Sequence, residues 1–94
     1  MYYVYALQST VQLDWLYIGY SDDVRVRLQR HNDGLVKSTK AYRPFRLVYY
    51  EAYANELDAR RRELELKRNV NTKQFLKRQI NGSLNIVRPR GEVG

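Results

Sequence analysis

Three side chains able to take part in proton or phosphate chemistry lie close together in one stretch of the sequence. Tyr17, Arg27 and His31 all fall within residues 16–32, and His31 is the only histidine. Residues 16–20 form an aromatic and β-branched run with the alternation of a strand, and the polar residues 21–23 suit the start of a helix. The apolar stripe of that helix is predicted to contain Val24, Leu28 and His31. The stretch therefore predicts a strand-turn-helix unit that brings a phenol, a guanidinium and an imidazole together.

A carboxylate facing the predicted core is the other candidate for chemistry. On a helical wheel Glu63 falls in one narrow arc with three apolar residues, Ala59, Leu66 and Val70. Burying a carboxylate is costly unless it is paired. Glu63 is therefore expected either to pair with an internal cation such as Arg27 or to hold a divalent cation at the sheet edge. Glu65 lies on the opposite face of the helix and is interpreted as a solvated charge.

The elements that position these residues follow from periodicity and turn signals. Strands are predicted at residues 2–8, 15–20 and 45–53, and helices at residues 22–32, 57–68 and 72–79, the last with Phe75, Leu76 and Ile80 as its apolar contacts. The order β-β-α-β-α-α predicts an α/β (α+β) fold, a small three-stranded antiparallel sheet flanked by helices. Residues 1–80 are expected to form the domain and residues 81–94 a loosely held tail.

Composition limits the possible functions. The 94 residues suffice for one domain with a modest core, and the absence of cysteine excludes disulfides and thiolate chemistry. The sequence shows no signal peptide and no apolar run long enough to cross a membrane, so a cytoplasmic location is expected. The net charge is +7, and residues 57–79 carry eight Lys or Arg against three Asp or Glu. Together with nine tyrosines, this charge favours a nucleic-acid partner.

Several motifs, taken in order and with their spacing, resemble the GIY-YIG nuclease superfamily, and most of all its short single-domain bacterial members. The matching segments are YVY at 3–5, YIG at 17–19, RLQRHN at 27–32, RPF at 43–45, LVY at 47–49 and ARRRE at 59–63. The resemblance extends over residues 2–78. The first motif lacks its usual glycine, and Tyr20 stands where several characterised relatives have lysine.

The resemblance implies hydrolysis of a nucleic-acid phosphodiester with one Mg²⁺ or Mn²⁺ ion. Glu63 would be the metal ligand, and Arg27 would bind the scissile phosphate, where negative charge grows during attack. Tyr5, Tyr17 and His31 would position or deprotonate the attacking water. An ordinary imidazole pKa near 6.5 favours His31 as the base over a phenol near 10, but the sequence leaves the choice among the three open.

Additional contacts with DNA are expected from the basic loop at residues 35–44, between the first predicted helix and the third strand. Lys37 or Lys40 could replace the lysine missing at position 20, Arg43 adds positive charge, and Tyr42 could either stack on a base or anchor the loop. On the first strand, Tyr3 shares a face with Tyr5 and is also assigned to DNA binding.

The sequence as a whole predicts a metal-dependent endonuclease acting on DNA. With no accessory domain, it is expected to select DNA structure, single strands or ends, or to rely on a targeting protein partner. The main alternative is a module that keeps the nuclease fold and binds nucleic acid without cutting it. A third possibility is an adaptor that presents its basic helix to an acidic protein.

Overall fold

The protein is described by a computed structural model in which residues 1–84 are placed. The strands are β1 (Tyr2–Ser9), β2 (Leu16–Ser21) and β3 (Phe45–Tyr53), and the helices are α1 (Val24–Asn32), α2 (Glu56–Arg68), α3 (Val70–Gln79) and a short α4 (Asn81–Leu84). A single 3₁₀ turn, Lys40–Tyr42, precedes β3. The predicted antiparallel sheet and the order β-β-α-β-α-α are confirmed. No helix among these residues has the length and apolar character needed to span a bilayer.

The middle strand of the sheet is β1, with the order β2-β1-β3 and both pairings antiparallel. Because β1 has helices on both sides, both of its faces are buried. Tyr5 and Leu7 point to the side covered by α1, which we call the α1 face. Val4 and Ala6 point to the side covered by α2, α3 and α4, which we call the α2 face. The alternation of β1 therefore divides the core into two layers.

The stripe predicted on α1 is confirmed, and a local cap starts that helix. The Asp23 carboxylate accepts a hydrogen bond from the Val26 N–H at 3.1 Å, satisfying one of the free donors of the first turn. Val24 and Leu28 pack against the core of the α1 face, and His31 is fully buried. The helix therefore packs its imidazole against the α1 face of the sheet.

The helical periodicity predicted two apolar residues near α3 to be in the core, and both predictions are wrong. Val70 is 72% exposed and Phe75 is 62% exposed, whereas Leu76 and Ile80 are buried as predicted. The reason lies at Asn69, which ends α2 and whose side chain then accepts from the Thr72 N–H to start α3. The chain changes direction there, so the arc that runs through α2 does not continue to Val70.

A partly buried ion pair that the sequence did not reveal joins β3 to α2. Glu51 accepts three hydrogen bonds from the Arg62 guanidinium at 2.9–3.1 Å. It also accepts from the hydroxyls of Tyr49 and Tyr53, both at 2.6 Å. The side chains of Glu51 and Arg62 are only 14% and 25% exposed. This network fixes the position of α2, the helix that carries Glu63, relative to the sheet.

The first residues of the predicted tail belong to the packed structure. Asn81–Leu84 form one helical turn, Leu84 is buried in the core of the α2 face, and the Gln8 side-chain amide donates to the Leu84 carbonyl. Residues 85–94, the rest of that tail, lie outside the described residues.

Candidate active site

Two phenols meet on the α1 face because a glycine leaves room for them. Tyr5 on β1 lies directly opposite Gly19 on β2, and the ring centroids of Tyr5 and Tyr17 are 6.2 Å apart. A Cβ atom at Gly19 would come within 2.4 Å of the Tyr5 hydroxyl and 2.8 Å of the Tyr17 ring. Glycine in a strand often marks such a close approach. The third residue of the YIG motif therefore has a steric role in holding both rings.

His31 lies behind Tyr5 and is held at both ring nitrogens. Its Nε2 is 3.1 Å from the Tyr5 hydroxyl, and its Nδ1 is 2.8 Å from the hydroxyl of Thr39. Thr39 donates its own proton to the Val36 carbonyl at 3.3 Å, so it must accept from His31. Nδ1 therefore carries the proton, and Nε2 accepts from Tyr5. Sequence reasoning missed Thr39, which has no periodic signal in a polar loop, although its side chain is fully buried.

Burial and neighbouring charges keep both partners of this hydrogen bond neutral at pH 7. Burial lowers the pKa of His31 to about 4, and the positive charges of Arg27 and Arg30 add to that effect. Burial, helped by Tyr17, raises the pKa of Tyr5 to about 12, while Arg27 opposes this rise and Glu63 adds slightly to it. Tyr5 is thus the common neighbour of the catalytic candidates Tyr17, Arg27, His31 and Glu63.

The guanidinium of Arg27 has hydrogen-bonding capacity that the protein does not use. Its Nε is buried and has no hydrogen-bond partner within residues 1–84. A buried donor on a charged group is costly when unsatisfied, and a planar guanidinium is suited to phosphate oxygens. Because the same guanidinium lies beside Tyr5, this unused donor points to an anionic ligand as its partner.

The internal partner of Glu63 is a lysine one turn further along α2. The Lys67 ammonium lies 2.9 Å from the Glu63 carboxylate and 5.4 Å from the centre of the Tyr17 ring. The Glu63 side chain is only 16% exposed, whereas that of Glu65 is 52% exposed and lies 3.4 Å from Arg62. Of the two explanations offered for Glu63, an internal pair is therefore present, but with Lys67 in place of Arg27. The i,i+4 spacing was the available signal for Lys67.

The donor set around Glu63 fits a magnesium or manganese ion held mainly by water and substrate. No cluster of three or more His, Cys, Asp or Glu side chains exists among residues 1–84, which disfavours a cage built from protein ligands. Mg²⁺ commonly binds through one or two carboxylates and completes its shell with water and phosphate oxygens. A single shielded carboxylate is consistent with that pattern, provided that Lys67 moves away.

The residues assigned to DNA binding lie in two separate places. Tyr3 contacts Tyr50 edge-on, with centroids 5.8 Å apart, in an open groove of about 810 Å³ that also includes Asp22 and Asp23. Lys37, Lys40 and Arg43 are exposed in the loop before β3. Tyr42 in that loop stacks on Trp15 at 4.0 Å, so one face of its ring is already covered by the protein.

The unusual Tyr20 lies away from the catalytic candidates. It is on the α2 face, where its ring stacks on Tyr2 and its hydroxyl donates to Glu56 at 2.7 Å. The guanidinium of Arg60 lies 4.5 Å from the centre of the Tyr20 ring. Position 20 therefore serves the packing of α2 onto the sheet in this protein.

The fold is a small antiparallel sheet flanked by helices, and comparison with known proteins identifies its family. Residues 1–77 match the model of the GIY-YIG catalytic domain, so the chain belongs to the GIY-YIG family. Membership implies a nuclease fold, DNA as the class of substrate and a general dependence on metal ions.

The relatives of the chain are small members of the same family. It is 43% identical to UPF0213 proteins of Staphylococcus aureus strains Mu3 and N315 over 61 residues, which span 64% of this chain and 74% of each relative. It is also similar to the solution NMR structure of a UPF0213 protein from Bacillus halodurans, with 29% identity and a TM-score of 0.53. That likeness covers 98% of this chain and 100% of the other.

Proposed function

We propose that this protein is an endonuclease that hydrolyses DNA phosphodiester bonds with one Mg²⁺ or Mn²⁺ ion. The observation that carries the proposal is the buried Nε of Arg27, which lacks a protein partner within residues 1–84. It lies on the face that presents the two phenols, and Glu63 reaches the same region. A phosphodiester supplies the anionic oxygens that this donor lacks, and because the Nε itself is buried, the Arg27 side chain must turn for the two to meet.

Each charged group has a role that follows from the charge of the reaction. Arg27 would bind the scissile phosphate, and its fixed guanidinium would stabilise the negative charge that develops on the phosphoryl oxygens during attack. Glu63 would hold the divalent ion. When bound, such an ion neutralises phosphate charge and makes water easier to deprotonate.

The structure favours Tyr17 over His31 as the group that meets the attacking water. His31 is fully buried, its Nε2 already accepts from Tyr5, and Tyr5 is itself only 1% exposed, so water does not reach the imidazole. Tyr17 is partly exposed and lies beside Lys67. We assign Tyr17 to positioning the nucleophile, and Tyr5 with His31 to packing against the Tyr17 ring and holding it in place.

The groove at Tyr3 supports a preference for unpaired DNA. Tyr50 is 55% exposed beside Tyr3, and stacking of a base on such a ring contributes about 1–3 kcal/mol. Asp22, Asp23 and Arg25 line the same groove, so it lacks the excess of positive charge that attracts a phosphate, which favours an uncharged base there. Tyr50→Ala should therefore weaken the binding of single strands more than that of duplexes in a gel shift. An equal loss for both substrates would contradict this assignment.

The loop carrying Lys37, Lys40 and Arg43 is proposed to contact phosphates without regard to sequence. Such contacts orient the nucleic acid and make binding sensitive to salt. Because Tyr42 is already stacked on Trp15, we assign it to anchoring this loop. Further selectivity would have to come from DNA shape, from DNA ends or from a targeting protein.

The test is a comparison of Glu63→Ala with Glu65→Ala on branched, single-stranded and duplex DNA. The two glutamates lie on the same helix, but only Glu63 is shielded beside Lys67. With Mg²⁺ or Mn²⁺ present, Glu63→Ala should abolish cleavage and retain the gel shift, whereas Glu65→Ala should cut like the wild type. If wild type and Glu63→Ala behave identically while both still shift the DNA, the enzyme proposal fails.

That outcome would support the second candidate, a module that binds nucleic acid without cutting it. The observation in its favour is the ion pair between Glu63 and Lys67, which satisfies the carboxylate without any metal. In that case DNA affinity should fall linearly with salt on a log-log plot and should not depend on Mn²⁺. Binding to an acidic protein that exceeds binding to DNA would instead favour the adaptor.

A further inference from the structure

The Glu63–Lys67 pair places a lysine ammonium at the carboxylate to which the proposed function assigns the metal ion. Lys67 Nζ is 2.9 Å from Glu63 Oε2, and the two side chains are 40% and 16% exposed. One turn of helix separates the two residues, so the pair forms within α2 itself. A divalent ion on the same oxygen would face a positive charge at hydrogen-bonding distance, so the ion and the ammonium compete for Glu63.

The surroundings of Lys67 indicate where its ammonium would go when displaced. It already lies 5.4 Å from the centre of the Tyr17 ring, on the side of the sheet where Arg27 keeps an unused donor. A lysine carries its charge on a flexible four-carbon stem, so it can change partners without moving the helix. A DNA phosphate bound at Arg27 would offer the ammonium a new anion.

We propose that Lys67 is a substrate-contacting residue that changes its ion-pair partner. When the divalent ion binds Glu63, the Lys67 ammonium leaves that carboxylate and pairs with a DNA phosphate. In free protein Lys67 weakens ion binding by occupying the carboxylate. In the DNA complex it adds a phosphate contact and leaves Glu63 to the ion. Ion binding and DNA binding are therefore coupled through one side chain, and each strengthens the other by the same factor. This inference rests on the proposed function, since it requires the ion at Glu63 and the phosphate at Arg27.

The first measurement is Mn²⁺ binding in the absence of DNA. The electron paramagnetic resonance signal of free Mn²⁺ reports how much of the ion remains unbound. Lys67→Met should bind Mn²⁺ about 5-fold more tightly than the wild type, the factor expected for losing a half-exposed competing ion pair. Lys67→Arg should remain close to the wild type because it keeps the positive charge. Arg61→Gln, on the same helix but 76% exposed and paired with Asp58, removes one charge and should leave Mn²⁺ binding unchanged.

The second measurement is DNA affinity with and without Mn²⁺, using a single-stranded oligonucleotide with phosphorothioate linkages to suppress cleavage. Without Mn²⁺, Lys67→Met should bind DNA like the wild type, since Lys67 is then held by Glu63. With Mn²⁺, the same variant should bind DNA about 5-fold more weakly than the wild type, because it lacks the contact between Lys67 and the DNA phosphate. Arg61→Gln should show the same ratio to the wild type under both conditions.

The outcomes separate this inference from the proposed function. Unchanged Mn²⁺ affinity in Lys67→Met, with a site that Glu63→Gln still abolishes, would overturn the inference alone. If Lys67→Met binds Mn²⁺ more tightly but shows no Mn²⁺-dependent loss of DNA affinity, the inference is also overturned. The displaced Lys67 ammonium of the wild type would then be hydrated and would not contact DNA. If Glu63→Gln binds Mn²⁺ as the wild type does, the proposed metal site fails, and the transfer of Lys67 fails with it.

Discussion

Lowering the pH should reveal that His31 resists protonation in the folded protein. Its Nε2 accepts from Tyr5 and its Nδ1 donates to Thr39, so the neutral ring uses both nitrogens. A second proton would face the Tyr5 hydroxyl proton, forcing that hydroxyl to turn away. It would also place a buried cation near Arg27 and Arg30. The unfolded chain carries none of these restrictions.

The size of the effect follows from the two pKa values. The interval from 6.5 in the unfolded chain to about 4 in the folded protein corresponds to about 3 kcal/mol, at about 1.4 kcal/mol for each pH unit. Within this interval the unfolded chain binds a proton that the folded protein does not. The free energy of unfolding should therefore fall as the pH drops from 6.5 to about 4, and His31 should contribute no further change outside this range.

Nitrogen NMR of the imidazole tests this directly, because His31 is the only histidine in the chain. We expect the tautomer with the proton on Nδ1 and no titration until the pH approaches 4. Urea unfolding of His31→Gln should show a shallower dependence on pH below 6.5 than the wild type, whatever its stability at pH 7. An imidazole that titrates near 6.5, or one protonated on Nε2 at neutral pH, would refute the proposed hydrogen-bond pattern.

Three further variants test the packing of the site and the attachment of α2 to the sheet. Gly19→Ala places a methyl group 2.4 Å from the Tyr5 hydroxyl, so it should lower the free energy of unfolding by about 1–3 kcal/mol and reduce cleavage. Gly82→Ala, which meets nothing within 4 Å, should leave both unchanged. Burial alone would raise the pKa of Glu51, but the hydrogen bonds from Arg62 outweigh it and lower that pKa. Glu51→Gln should therefore cost about 1–3 kcal/mol at pH 7 and should make the loss of stability below pH 4.5 smaller than in the wild type, both by urea unfolding. Equal midpoints for Gly19→Ala and Gly82→Ala, or an unchanged acid transition in Glu51→Gln, would contradict these expectations.

The sequence was sufficient to predict the strands and helices and the faces on which Tyr3, Tyr5 and His31 lie. Strand alternation placed Tyr3 and Tyr5 together, and the helix period placed His31 on the buried stripe of α1, because both patterns depend only on local geometry. The antiparallel pairing of the first two strands was predicted from the short polar connection at residues 9–14. The prediction that Arg27 and Glu63 belong to one catalytic site came from the family resemblance and not from periodicity.

The sequence was not sufficient for contacts that depend on loops or on rotamers. Thr39 reaches His31 from an irregular loop whose path has no period. Lys67 lies among basic residues on α2 that share its charge and its spacing from acids, so only coordinates single out its contacts with Glu63 and Tyr17. The exposure of Val70 depends on the break at Asn69, where one asparagine ends a helix and begins the next.

The position of β2 at the edge of the sheet explains how one site can combine groups from both layers. Helix α2 packs on the α2 face through Ala59 and Leu66, yet its Lys67 ammonium reaches the ring of Tyr17, which packs on the α1 face. Such a contact is possible only around the free edge of a strand, and the order β2-β1-β3 gives β2 that edge. With β2 in the centre, another strand would separate the carboxylate from the phenols. The strand order is therefore as necessary to the proposed chemistry as the residues themselves.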